Sequence, residues 1–431
     1  MTEALRVGVA GLGTVGAAAV RMLARQAEAL AARCGRKVAV VAVSSRDRGK
    51  DRGFDAAGLR WFDDPAALAG WDGIDVLVEL IGGAEGVARQ AATRALESGK
   101  SVVTANKALL AAHGMELARL AESKGGALAF EASVGGGIPI VKTLREGLAG
   151  NTVTRVSGIL NGTCNYILSR MEMEKLSFDD CLADAQRLGY AEADPTFDIG
   201  GFDTAHKVAI LASLAFGTAI DADAIHIEGI ETISLADIAA ADELGFRVKL
   251  LGVAERVGRG VEARVHPTMV AKTTSIAQVM GVTNAVTVDA DAVGQLTLVG
   301  PGAGGEATAS AVVADIADIA RGVRLAPFGL PTASLADVER IPVQRHEGGY
   351  YIRLDVADRP GAMAAIATRM AERAISLESI VQKASHSSGA RVPVVLITHA
   401  TTETSVREAL DRVVADGFVS GKPQLIRIER A

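Results

Sequence analysis

The sequence predicts an α/β chain of three units: a doubly wound parallel sheet, a mixed α/β middle and a small C-terminal βαββαβ unit of ferredoxin-like order. Three observations carry that expectation. A short apolar strand, Leu5–Ala10, runs straight into a glycine-rich turn and an alanine-rich helical pattern. Strand-like and helix-like stretches then alternate, as they do where helical crossovers join parallel strands. Near residue 349 a proline- and glycine-marked break interrupts the alternation, and it restarts in a different order. At 431 residues the chain exceeds one ordinary core, so more than one domain is expected.

The first unit is placed at residues 1–132. Gly11-Leu-Gly13-Thr14-Val15-Gly16 follows the opening strand and precedes a helical pattern from Ala17 to about Ala32, and a second strand follows at Lys37–Val43. This is the Rossmann dinucleotide fingerprint in its proper context. Gly11 permits the tight turn, Gly13 lets backbone approach a pyrophosphate, Gly16 lets helix and strand pack closely, and the turn residues Thr14 and Val15 are expected beside the phosphate, where the helix N-terminus offers N–H groups. Arg46 stands just past the second strand, where an acid would hold a ribose 2′-hydroxyl, so NADP is the first choice; Asp47 keeps NAD open. Further strands are expected at Asp75–Ile81 and from Ser101 to Lys107, with a helix after the latter. Their carboxyl ends should line the ligand crevice, which places Ile81, Thr104, Asn106 and Lys107 toward the nicotinamide.

The middle unit, residues 133–302, carries the chemistry. Glu192-Ala-Asp194-Pro-Thr-Phe-Asp198-Ile-Gly-Gly-Phe-Asp203-Thr-Ala-His-Lys207 gathers four carboxylates and a lysine, and the apolar run Val208–Phe216 after it reads as a buried helix. Asp203 and Lys207 then lie one above the other at i,i+4. A surface ion pair would account for those two alone, but like charges crowded into one loop suit a site that grips a charged substrate and moves a proton. Glu131-Ala-Ser-Val-Gly-Gly-Gly-Ile138 is too glycine-rich for a strand and is expected to be a turn with exposed carbonyls, or a hinge between domains. Strands at Arg247–Ala254 and Val261–His266 are expected to form one sheet with an open edge, which makes a dimer plausible.

Several of these segments together resemble homoserine dehydrogenase. The resemblance rests on Gly11–Gly16, Thr104–Lys107, Glu131–Pro139, Asn161-Gly-Thr-Cys-Asn165, Gly189-Tyr-Ala-Glu-Ala-Asp-Pro195 through Asp203 and Lys207, and Gly302-Ala-Gly304; it runs in order to about residue 325. It implies reversible reduction of L-aspartate 4-semialdehyde to L-homoserine by NAD(P)H, toward threonine, methionine and isoleucine. Delivering hydride to an aldehyde leaves an alkoxide that needs a proton, and a lysine near apolar walls can supply it. Lys207 is the expected proton donor and acceptor, Asp203 orients it or binds substrate, and Glu192 is implied to grip the substrate's α-ammonium. Lys107 polarises the carbonyl or relays the proton; which lysine delivers it stays open. The resemblance also implies a monovalent cation, Na+, held by Glu131 and backbone oxygens at Val134, Gly136 and Ile138, with Gly189 and Glu192 near the same loop. Gly302 is implied to lie near the nicotinamide, and the helix that follows, within residues 303–325, to return to the first unit. Cys164 stands where the family more often has a hydroxyl or other small residue. An acylating aldehyde dehydrogenase with Cys164 as nucleophile is the alternative this raises.

After a linker at 326–349 the last unit, 350–431, reads as strand Tyr350–Val356, turn Asp358–Gly361, helix Ala362–Arg373, strands Ser376–Ala384 and Val392–Thr398, helix Thr404–Ala415 and strand Gln424–Ile428. With Asp358-Arg-Pro-Gly361 at its first turn it resembles an ACT domain, which implies self-pairing and an amino-acid effector, threonine by the family's habit; a purely structural dimerisation role is the other reading. A homodimer or homotetramer is expected. The net charge of −6 and the lack of a basic face argue against nucleic acid. No apolar run reaches membrane-spanning length and no basic-then-apolar leader opens the chain. Three scattered cysteines suit reduced thiols in the cytoplasm. A non-catalytic regulator that senses nucleotide and amino acid is the rival from another class, and the carboxylate–lysine cluster speaks against it.

Overall fold

The computed structural model describes residues 3–382 and 391–429. Six parallel strands form the first sheet: β1 (Leu5–Ala10), β2 (Val38–Ser44), β3 (Arg60–Phe62), β4 (Val76–Glu79), β5 (Ser101–Thr104) and β6 (Leu128–Ala129), in the spatial order β3-β2-β1-β4-β5-β6. The residues of β4 and β5 are buried, and β4 reads as a nearly continuous apolar run because helices cover both faces of such a sheet. The expected single helix after the glycine turn is two helices. Helix α1 (Thr14–Arg25) starts three residues earlier than predicted, and the chain leaves helical geometry at Gln26 before α2 (Ala27–Cys34). Nothing in the local sequence marks that break. Strand β3 and helix α3 (Pro65–Gly70) were not foreseen, although Asp64 caps α3 and Pro65 opens it in the usual way. Helix α4 (Val87–Glu97) and helix α5 (Lys107–Lys124) complete the layers, with the Asn106 side chain capping the start of α5.

The helix Gly305–Ala320 returns to this unit. Its buried residues Ala309, Val312 and Ile316 share one apolar cluster with Val7 and Val9 of β1 and with Ala18 and Leu23 of α1.

The middle of the chain builds an antiparallel sheet from Gly294–Pro301, Thr283–Ala290, Val153–Ile159, Phe246–Val257 and Gly260–Ala271, in that spatial order. Among the described residues Gly294–Pro301 is an edge strand of this sheet, whereas its other side continues past Gly260–Ala271. Strand Gly260–Ala271 pairs in parallel with the C-terminal strand Val419–Glu429, Thr268–Val270 against Arg427–Glu429, and with the short strands His226–Ile227 and Arg340–Ile341. The sequence pattern of one strand cannot reveal a partner so distant in the chain.

Residues 326–349 include two 3-10 turns, Thr332–Ser334 and Val343–Arg345, and the strand Arg340–Ile341 lies on the sheet. Beyond them come strand Glu347–Ala357, helix Ala362–Ala371, strands Leu377–Gln382 and Arg391–Thr398, helix Glu403–Ala415 and strand Val419–Glu429, the βαββαβ order expected. The predicted strand end at residues 383–384 lies outside the described residues. Through the Arg427–Glu429 pairing this module's sheet continues the middle one. No helix among the described residues is long and apolar enough to cross a membrane.

Candidate active site

The glycine turn after β1 has the geometry of a phosphate cradle. Gly11 takes φ +96°, and a Cβ there would lie 2.5 Å from the Leu80 carbonyl oxygen; a Cβ on Gly16 would lie 1.9 Å from the Gly11 oxygen. A Cβ on Gly13 would meet nothing within 4 Å. Two glycines are therefore required by packing, and the third leaves open backbone beside the N-terminus of α1. These residues fit a dinucleotide.

A cavity of about 820 Å3 begins at Val15 and runs between the first unit and the middle one, lined by Lys107 at the head of α5, Val134, Asn161, Asp198, Asp203, Lys207 and Gly302. Helix Phe202–Phe216 delivers the central pair. It begins after Gly201, whose φ is +89°, and its apolar body is buried, which fixes Asp203 and Lys207 on the first two turns. The Lys207 ammonium donates to Asp203 Oδ2 at 2.8 Å and to the Leu160 carbonyl at 2.6 Å. Of its three protons, two are thus held by protein. Lys107 reaches the other oxygen, Asp203 Oδ1, at 3.1 Å. Burial alone would raise the Asp203 carboxyl, but the ammonium groups of Lys207 and Lys107 outweigh it and hold the group well below the usual carboxylate range. Asp203 is an anion clamped between two lysines.

Asn161 supplies a third donor. Its Nδ2 bonds Asp203 Oδ2 at 2.9 Å and Asp198 Oδ1 at 2.8 Å, while its Oδ1 caps the helix Gly162–Glu174 through Cys164 N. Thr163 Oγ1 lies 3.2 Å from the second Asp198 oxygen. Burial and the nearby Asp203 push the Asp198 carboxyl up. Asp198 is therefore the second acid of the cavity, and its place in the linear cluster gave no sign of it.

Glu192 is the predicted site residue that the structure leaves outside. Its side chain is exposed, it does not line the cavity, and its carbonyl accepts from Gln186. Gly189, three residues earlier, does line the cavity.

At the carboxyl ends of β4 and β5, where the nicotinamide was expected, Thr104 is buried and its hydroxyl donates to Glu79 Oε2 at 2.6 Å; Glu79 also accepts from the backbone of Ile81 and Gly82. Thr104 thus braces the crevice floor, and Ile81 stands exposed at its rim. The buried Glu79, an acid closing an apolar strand, was visible in the sequence and unassigned. Asn106 donates to the Gly83 carbonyl at 2.7 Å, tying the same loop to α5. Arg46 is exposed, and the guanidinium packed on the glycine turn belongs to Arg52, which bonds Leu12 O and Ser45 Oγ.

The Glu131–Ile138 segment is a buried loop rather than a turn with exposed carbonyls. Gly136, at φ +59°, packs so tightly that a Cβ would lie 2.3 Å from the Gly302 oxygen, and Gly137 N donates to Pro301 O. The two glycine segments that were expected to serve cation and nicotinamide are thus one interlocked pair. Glu131 accepts from the backbone of Val141 and Lys142 at 2.9 and 2.8 Å, and burial, with Asp315 close by, pushes its carboxyl up to about 7. A buried acid beside another acid, next to backbone carbonyls, fits a hard monovalent cation in charge and donor type. The Ile138 oxygen already accepts from Ile140 N, and Glu192 is not at hand to complete the set.

Cys164 has no exposed surface, donates to the Asp198 carbonyl at 3.2 Å, and burial pushes its thiol well above the ordinary value. A thiol so held is no nucleophile, which closes the thioester alternative.

Comparison with known proteins gives three family matches: "Homoserine dehydrogenase, NAD binding domain" over residues 11–131, "Homoserine dehydrogenase" over 139–317 and "ACT domain" over 350–415. The chain is 44% identical to homoserine dehydrogenase of Pseudomonas aeruginosa, with 99% of each chain covered, and 41% identical to that of Helicobacter pylori over the full length of both. Among solved structures it is similar to a homoserine dehydrogenase from Thiobacillus denitrificans, at 44% identity and a TM-score of 0.94, covering 99% of this chain and 98% of the other. A hyperthermophilic archaeal homoserine dehydrogenase in complex with NADPH matches 73% of this chain at 27% identity, with 97% of its own length covered and a TM-score of 0.62.

Proposed function

The chain belongs to the homoserine dehydrogenase family, and from that premise we propose how its residues divide the work of reducing L-aspartate 4-semialdehyde to L-homoserine and of the reverse reaction. It is an oxidoreductase with an NAD(P)-binding domain and an ACT domain. The bound nicotinamide supplies or takes the hydride.

Lys207 is the general acid and base. Its ammonium is fixed by Leu160 O and Asp203, and it has a proton left for the substrate oxygen as the neighbouring carbon gains hydride. Lys107, whose side chain is partly exposed, faces the same carboxylate and polarises the carbonyl. Asp203 orients both amines. Since it already accepts from Lys207 and Asn161 and pairs with the Lys107 ammonium, orientation is a better account of it than direct substrate binding. Asp198 and Glu192 are assigned to the substrate's ammonium, Glu192 by inward closure of the exposed loop that starts at Gly189. The single observation that supports this division is the Lys107–Asp203–Lys207 clamp at the mouth of the dinucleotide crevice.

NADP is the preferred cofactor on the strength of Arg46 and the neighbouring Arg52, which would both favour a 2′-phosphate. The cation is assigned to Glu131, Val134 and Gly136. Threonine is assigned to the ACT module as effector, the chain is taken to assemble as a homodimer or homotetramer, and its place is taken to be the cytoplasm, on the threonine, methionine and isoleucine route. Incubating the purified protein with L-homoserine and NADP is expected to raise the absorbance of the reduced nicotinamide. No change with either NADP or NAD, from neutral to alkaline pH, would overturn the assignment.

A further inference from the structure

We propose that Glu228, held by Arg427 of the C-terminal module, is a positioning residue for the substrate acids, so that the module braces the active site mechanically whether or not it binds an effector. The inference rests on the reading of Asp198 and Asp203 given above.

The brace is continuous. Arg427 is 1% exposed and grips two carboxylates. Inside the module it donates to both oxygens of Glu403, at 2.7 Å each, and across the junction it donates to Glu228 Oε2 at 2.8 Å and Oε1 at 3.1 Å. His226 and Arg407 hold the same Glu228 oxygen from other sides, at 2.8 and 3.1 Å. The Glu228 backbone N–H donates to Val265 O at 2.8 Å, and two residues on Ile230 N–H donates to Ile199 O at 2.9 Å. Between them Gly229 lies so close that a Cβ would stand 2.5 Å from Ile199 O and 2.8 Å from Gly200 Cα.

Ile199 closes the short helix Thr196–Ile199 that carries Asp198, and Gly201, which follows it, sets the start of the helix that carries Asp203 and Lys207. A bidentate, buried arginine is a stiff connector. Displacing Glu228 therefore displaces the backbone from which the cavity's two acids project. The cofactor cradle lies in another unit and is not on this route.

Glu228→Gln keeps shape and loses charge, and Gly229→Ala pushes the loop off Ile199 without touching the module. Each is expected to raise the homoserine KM roughly 3- to 30-fold, with the NADP KM within about twofold of wild type. Combined with Asp198→Asn, Glu228→Gln should show a non-additive effect on kcat/KM for homoserine. Unchanged homoserine KM in both variants, an equal rise in the NADP KM, or full additivity with Asp198→Asn would overturn the proposal. A misassigned site would declare itself separately, as a Lys207→Ala enzyme that keeps its turnover.

Discussion

Asp203 spends its whole side chain on holding other groups. One oxygen meets Lys107, the other meets Lys207 and Asn161, and the carboxylate is 4% exposed. With Lys207 as the proposed proton donor, that arrangement fixes the donor in space before substrate arrives, which is where much of the advantage of a positioned acid lies. Lys207→Ala is expected to lower kcat by about 10²- to 10⁴-fold while the Kd for NADP, measured by titration, barely moves. A loss confined to KM would give Lys207 a binding role instead. Glu192→Gln separates the two acids of the cluster: with loop closure the homoserine KM rises, and an unchanged KM would leave Asp198 to bind the ammonium alone. The amine and its i−4 partner could be read from spacing along one helix. The place of Asp198 in the cavity could not, because its side chain is held there by Asn161 and Thr163, 37 and 35 residues away along the chain.

At the scale of elements, the buried Glu131 loop carries a consequence for stability. Its carboxyl is pushed up to about 7, so the folded chain holds that proton more tightly than the unfolded chain, whose glutamates titrate near about 4.3. The favourable contribution is complete below the unfolded value and is lost as pH rises toward about 7, by at most about 4 kcal/mol. Glu131→Gln is expected to flatten this part of the profile of Tm against pH, on a baseline lowered by the loss of one acceptor for the Val141 and Lys142 amides. A cation held there would offset the loss, so sodium should raise the wild-type Tm at alkaline pH and leave the variant's unchanged. Equal responses in the two proteins would remove the cation assignment. Element by element, apolar runs and the glycine fingerprint foretold most of the first sheet, since parallel strands buried on both faces leave a strong local mark. The break at Gln26 and the three-residue strand β3 leave none. The loop at 131–138 was misjudged because its glycines signal close packing against Gly302 as readily as they signal exposure.

For the whole molecule, the order of the three units was legible and their junctions were not. Composition and strand alternation describe each unit alone, whereas the parallel pairing of Thr268–Val270 with Arg427–Glu429 joins residues far apart in sequence. A second junction is built from Asp237, at 0% exposure, which accepts from Arg353 at 2.7 and 3.0 Å and from Tyr351 at 3.1 Å. If threonine acts through the module, it acts on a body already bolted to the catalytic sheet. Its addition is then expected to inhibit homoserine oxidation and to raise Tm together; threonine that does neither, at concentrations up to the millimolar range, would leave the module a structural role.

The shared sheet also bears on what the tail means for solubility. Strand Gly260–Ala271 is almost wholly buried, and its outer rim is paired in pieces: by Arg340–Ile341, by His226–Ile227 and, at Thr268–Val270, by Arg427–Glu429. Removing Arg427–Glu429 would bare the amides and carbonyls of that stretch, a surface that invites neighbouring molecules to add strands of their own. Strand Val419–Glu429 thus shields part of the sheet from self-association, and a version cut before it is expected to aggregate more readily, as light scattering would show.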